Sequence, residues 1–140
     1  MTKNGPVVII EDDEDDQLFL KEVFDKLAYT NPVIFFSDGE AALDYLHNTE
    51  ELPFLILSDI NMPKLSGFEL RQKLKSDAEL QLKCIPYLFF STAANQKAVI
   101  DAYSLSVQGF FLKQNSMAEM EATISAIMEY WKRCAAPNNF

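Results

Sequence analysis

The chain has 140 residues, 49% hydrophobic and 24% charged, with a formal net charge of −9. That length suits one domain with a proper core, and the composition is that of a globular protein, not a disordered or fibrous one. The negative charge disfavours both nucleic acid, whose phosphates call for Lys and Arg, and anionic membrane surfaces.

The start, "MTKNGPVVII", carries one Lys and an apolar run too short for a signal peptide. No stretch approaches the roughly 18 apolar residues that a membrane span requires. Cys84 and Cys134 lie far apart without metal-type spacing, which suits a reduced pair. A cytoplasmic chain is the expectation.

Along the sequence, short apolar runs alternate with amphipathic stretches. The runs are Val7–Ile10, Val33–Phe36, 54–57, 87–90 and 110–112. They are continuous, not alternating, as in strands of a parallel sheet buried on both faces. Between them Leu20, Val23, Phe24 and Leu27 recur at helical spacing, then Ala42, Leu43 and Leu46 over a shorter stretch. Segments 68–74 and 98–103 follow, and Met120, Ile124, Ile127, Met128 and Trp131 mark a last helix that should end before Pro137. Five βα units predict an α/β sandwich with a parallel central sheet and five helices on its two faces. No repeat, linker or low-complexity segment interrupts the pattern. A single domain over 1–140 is expected, with a core over about 6–134 and a short tail at 135–140.

The polar residues fall in one place. Ligands of open α/β sheets bind beyond the carboxyl ends of the strands. There the first run is followed by Glu11 and Asp12, the third by Asp59, the fourth by Ser91 and the fifth by Lys113. The second leads to Asp38, whose best reading is a cap for the second helix. Each residue alone has a bland explanation; five at corresponding strand ends do not. Two carboxylates can hold magnesium together with waters and phosphate oxygens. Asp59 can attack phosphorus as a nucleophile, with the ion and Lys113 offsetting charge and Ser91 donating a hydrogen bond. The acidic run "EDDEDD" thereby divides: Glu11 and Asp12 serve a metal, and Asp13 to Asp16 start the first helix, where acids are favoured.

The motifs "VIIEDD", "FFSDGEAALDYL", "LILSDINMPKLSGFEL", "IPYLFFSTA" and "GFFLKQ" together resemble the receiver domain of two-component response regulators over residues 6–131. The third is the most specific, because it joins the acceptor Asp to Met62, Pro63 and Gly67. The resemblance implies a flavodoxin-like, doubly wound sheet of order 2-1-3-4-5. It implies Asp59 as phosphoacceptor, Asp12 as a direct magnesium ligand, Glu11 acting through water and the Asn61 carbonyl as a further ligand. Lys113 matches the phosphate-contacting lysine, Ser91 the switch hydroxyl and Phe110 the aromatic switch residue. Thr92 rivals Ser91 for the hydroxyl role, but Ser91 directly follows the apolar run after Pro86. Tyr103 joins Phe110 as a candidate for the responding surface.

Three departures stand out. Glu replaces the first Asp of the acidic pair, a change that keeps a ligand. The segment "KSDAELQLKC" before the fourth run is slightly long. Gln114 stands where the family has a cis proline; without proline a cis bond costs about 2.5–4 kcal/mol, so a trans Lys113–Gln114 bond is expected.

Rival chemistries fit less well. An aspartate-nucleophile phosphatase of the haloacid dehalogenase type needs a second Asp where Asn61 stands, and its site on the first strand. A flavodoxin-like FMN protein would have its phosphate repelled by the acidic run. An EF-hand over 11–22 has Asp16 at the required Gly and follows a strand instead of a helix. A pseudo-receiver that binds partners without phosphorylation ranks second, since every site position is filled. The expected protein is thus a magnesium-dependent signalling switch and not an enzyme. It would receive its phosphoryl group from a histidine kinase or histidine phosphotransfer protein and signal to a downstream protein target by contact, with homodimerisation left open.

Overall fold

The structure, a computed structural model, describes residues 2–92 and 95–135. Five parallel strands, β1 (Val7–Ile10), β2 (Val33–Phe36), β3 (Leu55–Ser58), β4 (Tyr87–Ser91) and β5 (Gly109–Leu112), form one sheet in the order β2-β1-β3-β4-β5. β1, β3 and β4 are buried throughout, whereas edge strands β2 and β5 are largely half-exposed. The continuous apolar runs of the centre and the shorter demands at the edges follow from that placement.

Side chains alternate across each strand and so feed two cores. Val7, Ile9, Leu55, Leu57, Leu88 and Phe90 face helices α1 (Glu14–Leu27) and α6 (Met117–Arg133), which bury Leu20, Val23, Phe24, Met120, Ile124, Ile127 and Met128 there. Val8, Ile10, Ile56, Tyr87 and Phe89 face α2 (Gly39–Asn48), α3 (Gly67–Ser76), α4 (Ala78–Leu82) and α5 (Gln96–Ser104). Ala42, Leu46, Leu70, Leu74, Leu80 and Ala102 close that second core.

Among the described residues six α-helices stand where five helices were expected. The extra one, α4, arises inside the long segment before β4. Asp77 ends α3 and at once caps α4, its Oδ1 accepting from the Glu79 and Leu80 amides at 3.0 and 3.1 Å, and Leu80 is buried. Asp38 caps α2 as expected, accepting from the Ala41 amide at 2.8 Å. α6 ends at Arg133; Pro137 and the tail from 136 onward lie outside the described residues. Among the described residues no helix is long and apolar enough to cross a membrane.

Candidate functional site

The backbone ladder runs one residue past the strands, and that extension builds the site. The Asp59 N–H donates to the Ile10 carbonyl at 3.0 Å, and the Glu11 N–H to Phe36 at 2.9 Å. The Lys113 N–H donates to the Ser91 carbonyl at 3.0 Å. Glu11, Asp59, Ser91 and Lys113 therefore stand side by side at the carboxyl end of the sheet.

Lys113 is the hub. Its side chain is 10% exposed, and the ammonium donates to Oε2 of Glu11, to Oδ2 of Asp16 at 3.0 Å and to Oδ2 of Asp59 at 3.1 Å. Burial pulls its pKa down, but the hydrogen bonds to Glu11 and Asp16 and the charge of Asp59 outweigh that and leave it above the ordinary lysine value. Glu11 is buried, and burial raises its pKa. Lys113 and the Asp13 amide, which donates to Oε1 at 3.0 Å, oppose the rise, while the neighbouring Asp59 charge adds to it. The carboxyl is pushed up to about 7. Three carboxylates around one ammonium leave a negative excess that a cation would relieve.

Glu11, Asp12 and Asp59 each bring one carboxylate oxygen within 4.8 Å of the others. Hard oxygen donors with unbalanced negative charge suit Mg2+ or Mn2+ and not a soft thiophilic ion. Asp12 is exposed and Asp59 half-buried, so the cluster opens to solvent. Asn61 lies two residues beyond Asp59 in the exposed loop before α3.

The loop that follows β3 is held from three sides. Ile60 N–H donates to Asp59 Oδ1 at 2.7 Å, Ser58 Oγ to the Asp59 carbonyl at 2.8 Å, and Gly67 N–H to the Ile60 carbonyl at 2.8 Å. A Cβ at Gly67 would lie 2.1 Å from the Asp59 carbonyl oxygen and 2.9 Å from Phe89. Only glycine lets α3 start this close to the end of β3.

The remaining candidates lie on or just after β4, on α5 and on β5. Ser91 is buried at the end of β4, whereas the adjacent Thr92 is exposed beside Lys113, in a cavity of about 170 Å³ that also touches Asp16 and Gln114. Phe110 is half-buried, its ring 6.1 Å from that of Phe89. Tyr103, on α5, is 53% exposed. Arg71 reaches from α3 to the carbonyls of Leu105 and Ser106 at 3.0 and 2.8 Å, tying down the end of α5. No peptide bond among the described residues is cis, so Lys113–Gln114 is trans, as expected.

Of the acidic run, Asp13 caps α1, accepting from the Asp15 and Asp16 amides at 2.8 and 3.2 Å, and Glu14 to Asp16 form the first turn. Asp16 does more than start a helix, because it also pairs with Lys113. That contact joins residues 97 apart in sequence, and no local spacing announces it. Gln17, likewise missed, places its amide nitrogen on the Glu11 carbonyl.

A doubly wound parallel sheet with an acidic cluster and a lysine at its carboxyl edge is the architecture of a receiver. The model of the response regulator receiver domain matches residues 7–125, and the chain belongs to that family. It is 30% identical to the probable methanogenesis regulatory protein FilR2 of Methanothrix harundinacea over 129 residues, covering 89% of this chain and 82% of that one. The phosphorylated cyanobacterial phytochrome response regulator RcpA superposes with a TM-score of 0.82 at 28% identity, covering 94% and 96% of the two chains. The Mn2+-bound form of response regulator Rcp1 does so with a TM-score of 0.78 at 27% identity, covering 94% and 97%.

Proposed function

We propose that this protein is a phosphorylation-dependent signalling switch whose acceptor is Asp59. The observation that carries the reading is the position of the Asp59 carboxylate, within reach both of the Lys113 ammonium and of the Glu11–Asp12 pair. A carboxylate oxygen of Asp59 forms a bond to phosphorus while the bond from phosphorus to the donor's nitrogen or oxygen breaks, and the leaving group departs with the bonding electron pair and takes up a proton from solvent. The donor is a phosphohistidine of a histidine kinase or phosphotransfer protein. Lys113 holds negative charge on the transferring group, and the buried Ser91 hydroxyl is the second donor.

In this reading Asp12 and Asp59 would be the direct ligands of a magnesium ion, with Glu11 acting through water and the Asn61 carbonyl completing the protein's share. The bound ion would offset charge on the phosphoryl oxygens. The Mn2+-bound state of Rcp1 supports the metal assignment. The phosphorylated state of RcpA supports the chemistry.

Output passes through α5 and β5. Ser91 moves toward the phosphoryl group, Phe110 fills the space released, and the exposed face carrying Tyr103, Ile100 and Leu112 changes its affinity for a downstream protein. The phosphoryl group shifts this equilibrium only by its differential affinity for the two arrangements.

Incubation with Mg2+ and a small acyl phosphate tests the reading. Acid-stable, base-labile label is expected on the wild type and not on Asp59→Asn. Equal labelling of both would refute it.

A further inference from the structure

Lys113 carries three N–H donors, and three carboxylates occupy them. Two of those carboxylates, Glu11 and Asp59, also belong to the oxygen cluster with Asp12. Asp16 does not; its Oδ2 is 3.0 Å from the ammonium, and its side chain is 40% exposed. A carboxylate in the first turn of α1 is favoured by the helix N–H groups wherever it points. That preference accounts equally for Glu14 and Asp15, and neither of those meets Lys113. The contact therefore reflects where Asp16 stands, over the end of β5 and beside the small cavity that touches Lys113 and Thr92.

We propose that Asp16 is a positioning residue that tunes the acceptor site, occupying one donor of Lys113 and adding a negative charge where the phosphoryl group arrives. The inference rests on the reading of Asp59 as acceptor. An incoming phosphoryl oxygen can engage Lys113 only by displacing a carboxylate. Asp16 is the most exposed of the three and the one outside the oxygen cluster, so it is the one displaced. Its charge then stays beside the phosphoryl group, opposing the anion while drawing in the cation. The two effects have opposite signs, and that separates tuning from mere support of the fold.

The experiment measures Mg2+ affinity alone, and beryllofluoride affinity at saturating Mg2+, for wild type, Asp16→Asn and Asp16→Glu. Removing the charge should weaken Mg2+ and tighten beryllofluoride, each by about two- to fivefold, the range for a partly exposed ion pair. KM for a small acyl phosphate should fall in Asp16→Asn, and the difference should shrink as salt rises. Asp16→Glu should stay close to wild type. Loss of affinity for both ligands, or no change in either, would overturn the role of Asp16. Wild type that binds no beryllofluoride would instead overturn the acceptor reading on which it rests.

Discussion

Lys113 reaches Asp59 at 3.1 Å across the width of β4, which lies between the strands that carry them. The two residues are 54 apart in sequence and meet because the β3·β4 and β4·β5 ladders are parallel and in step, pairing Leu57 with Leu88 and Leu88 with Gly109. An ammonium in that position is the only cation that the described residues place among Glu11, Asp16 and Asp59.

Removing it should therefore cost stability as well as chemistry. Lys113→Met leaves three carboxylates facing one another, two of them largely buried. Breaking a buried ion pair from one side costs on the order of 3–5 kcal/mol. Urea unfolding in chelator should show a loss approaching that size, and Mg2+ should restore part of it. Labelling by acyl phosphate should fall severely even at saturating Mg2+.

Asp12 should behave in the opposite way. It joins the carboxylate cluster but is not one of the three carboxylates that pair with Lys113 among the described residues, and it is exposed. Asp12→Ala relieves repulsion in the metal-free protein, which should be no less stable than wild type. Its Mg2+ affinity should fall further than that of Glu11→Ala. Calorimetric titration of the three proteins checks both statements.

The raised Glu11 pKa sets a pH dependence. Burial pushes the Glu11 carboxyl up to about 7 from the ordinary glutamic acid value of 4.5, so between those limits the folded state holds a proton that the unfolded chain has lost. Stability then falls as pH rises through that window, because the unfolded state binds fewer protons. Metal-free wild type should melt lower at pH 8 than at pH 5.5 relative to Glu11→Gln, which lacks this slope. Mg2+ affinity should climb over the same range, since the ion favours the ionised carboxyl.

Gly67→Ala tests the packing of α3 against the acceptor loop. The added methyl would overlap the Asp59 carbonyl oxygen, which belongs to the backbone and cannot swing aside. Overpacking of this kind costs about 1–3 kcal/mol. Thermal melting should show the loss, and Mg2+ binding should weaken because Asp59 is displaced with its loop.

Much of this architecture could be read from the residues. Val7–Ile10 and Val33–Phe36 are strands with the bounds that their apolar runs suggest, and β3 shifts by one because Ser58, polar but fully buried, continues the ladder. The helix start at Asp38 followed from capping chemistry, and the one within Asp13 to Asp16 from the preference for acids in a first turn. α4 did not, since five residues hold too little of a helical period to register, although the Asp77 cap was visible in principle. The strand-end residues were found together because parallel topology aligns strand ends. The grip of Asp16 on Lys113 was not, because it depends on the side-chain direction at one helical position against a strand end far along the chain.

In the proposed switch Asp59 carries the phosphoryl group. Reductive trapping tests it most directly: the protein is treated with Mg2+ and acyl phosphate, then with borohydride, which converts an aspartyl phosphate to homoserine, and is digested and sequenced by mass spectrometry. Homoserine is expected at residue 59, dependent on Mg2+ and absent without the phosphodonor. Homoserine at Asp12 or elsewhere, or none in a protein that binds Mg2+ normally, would contradict it.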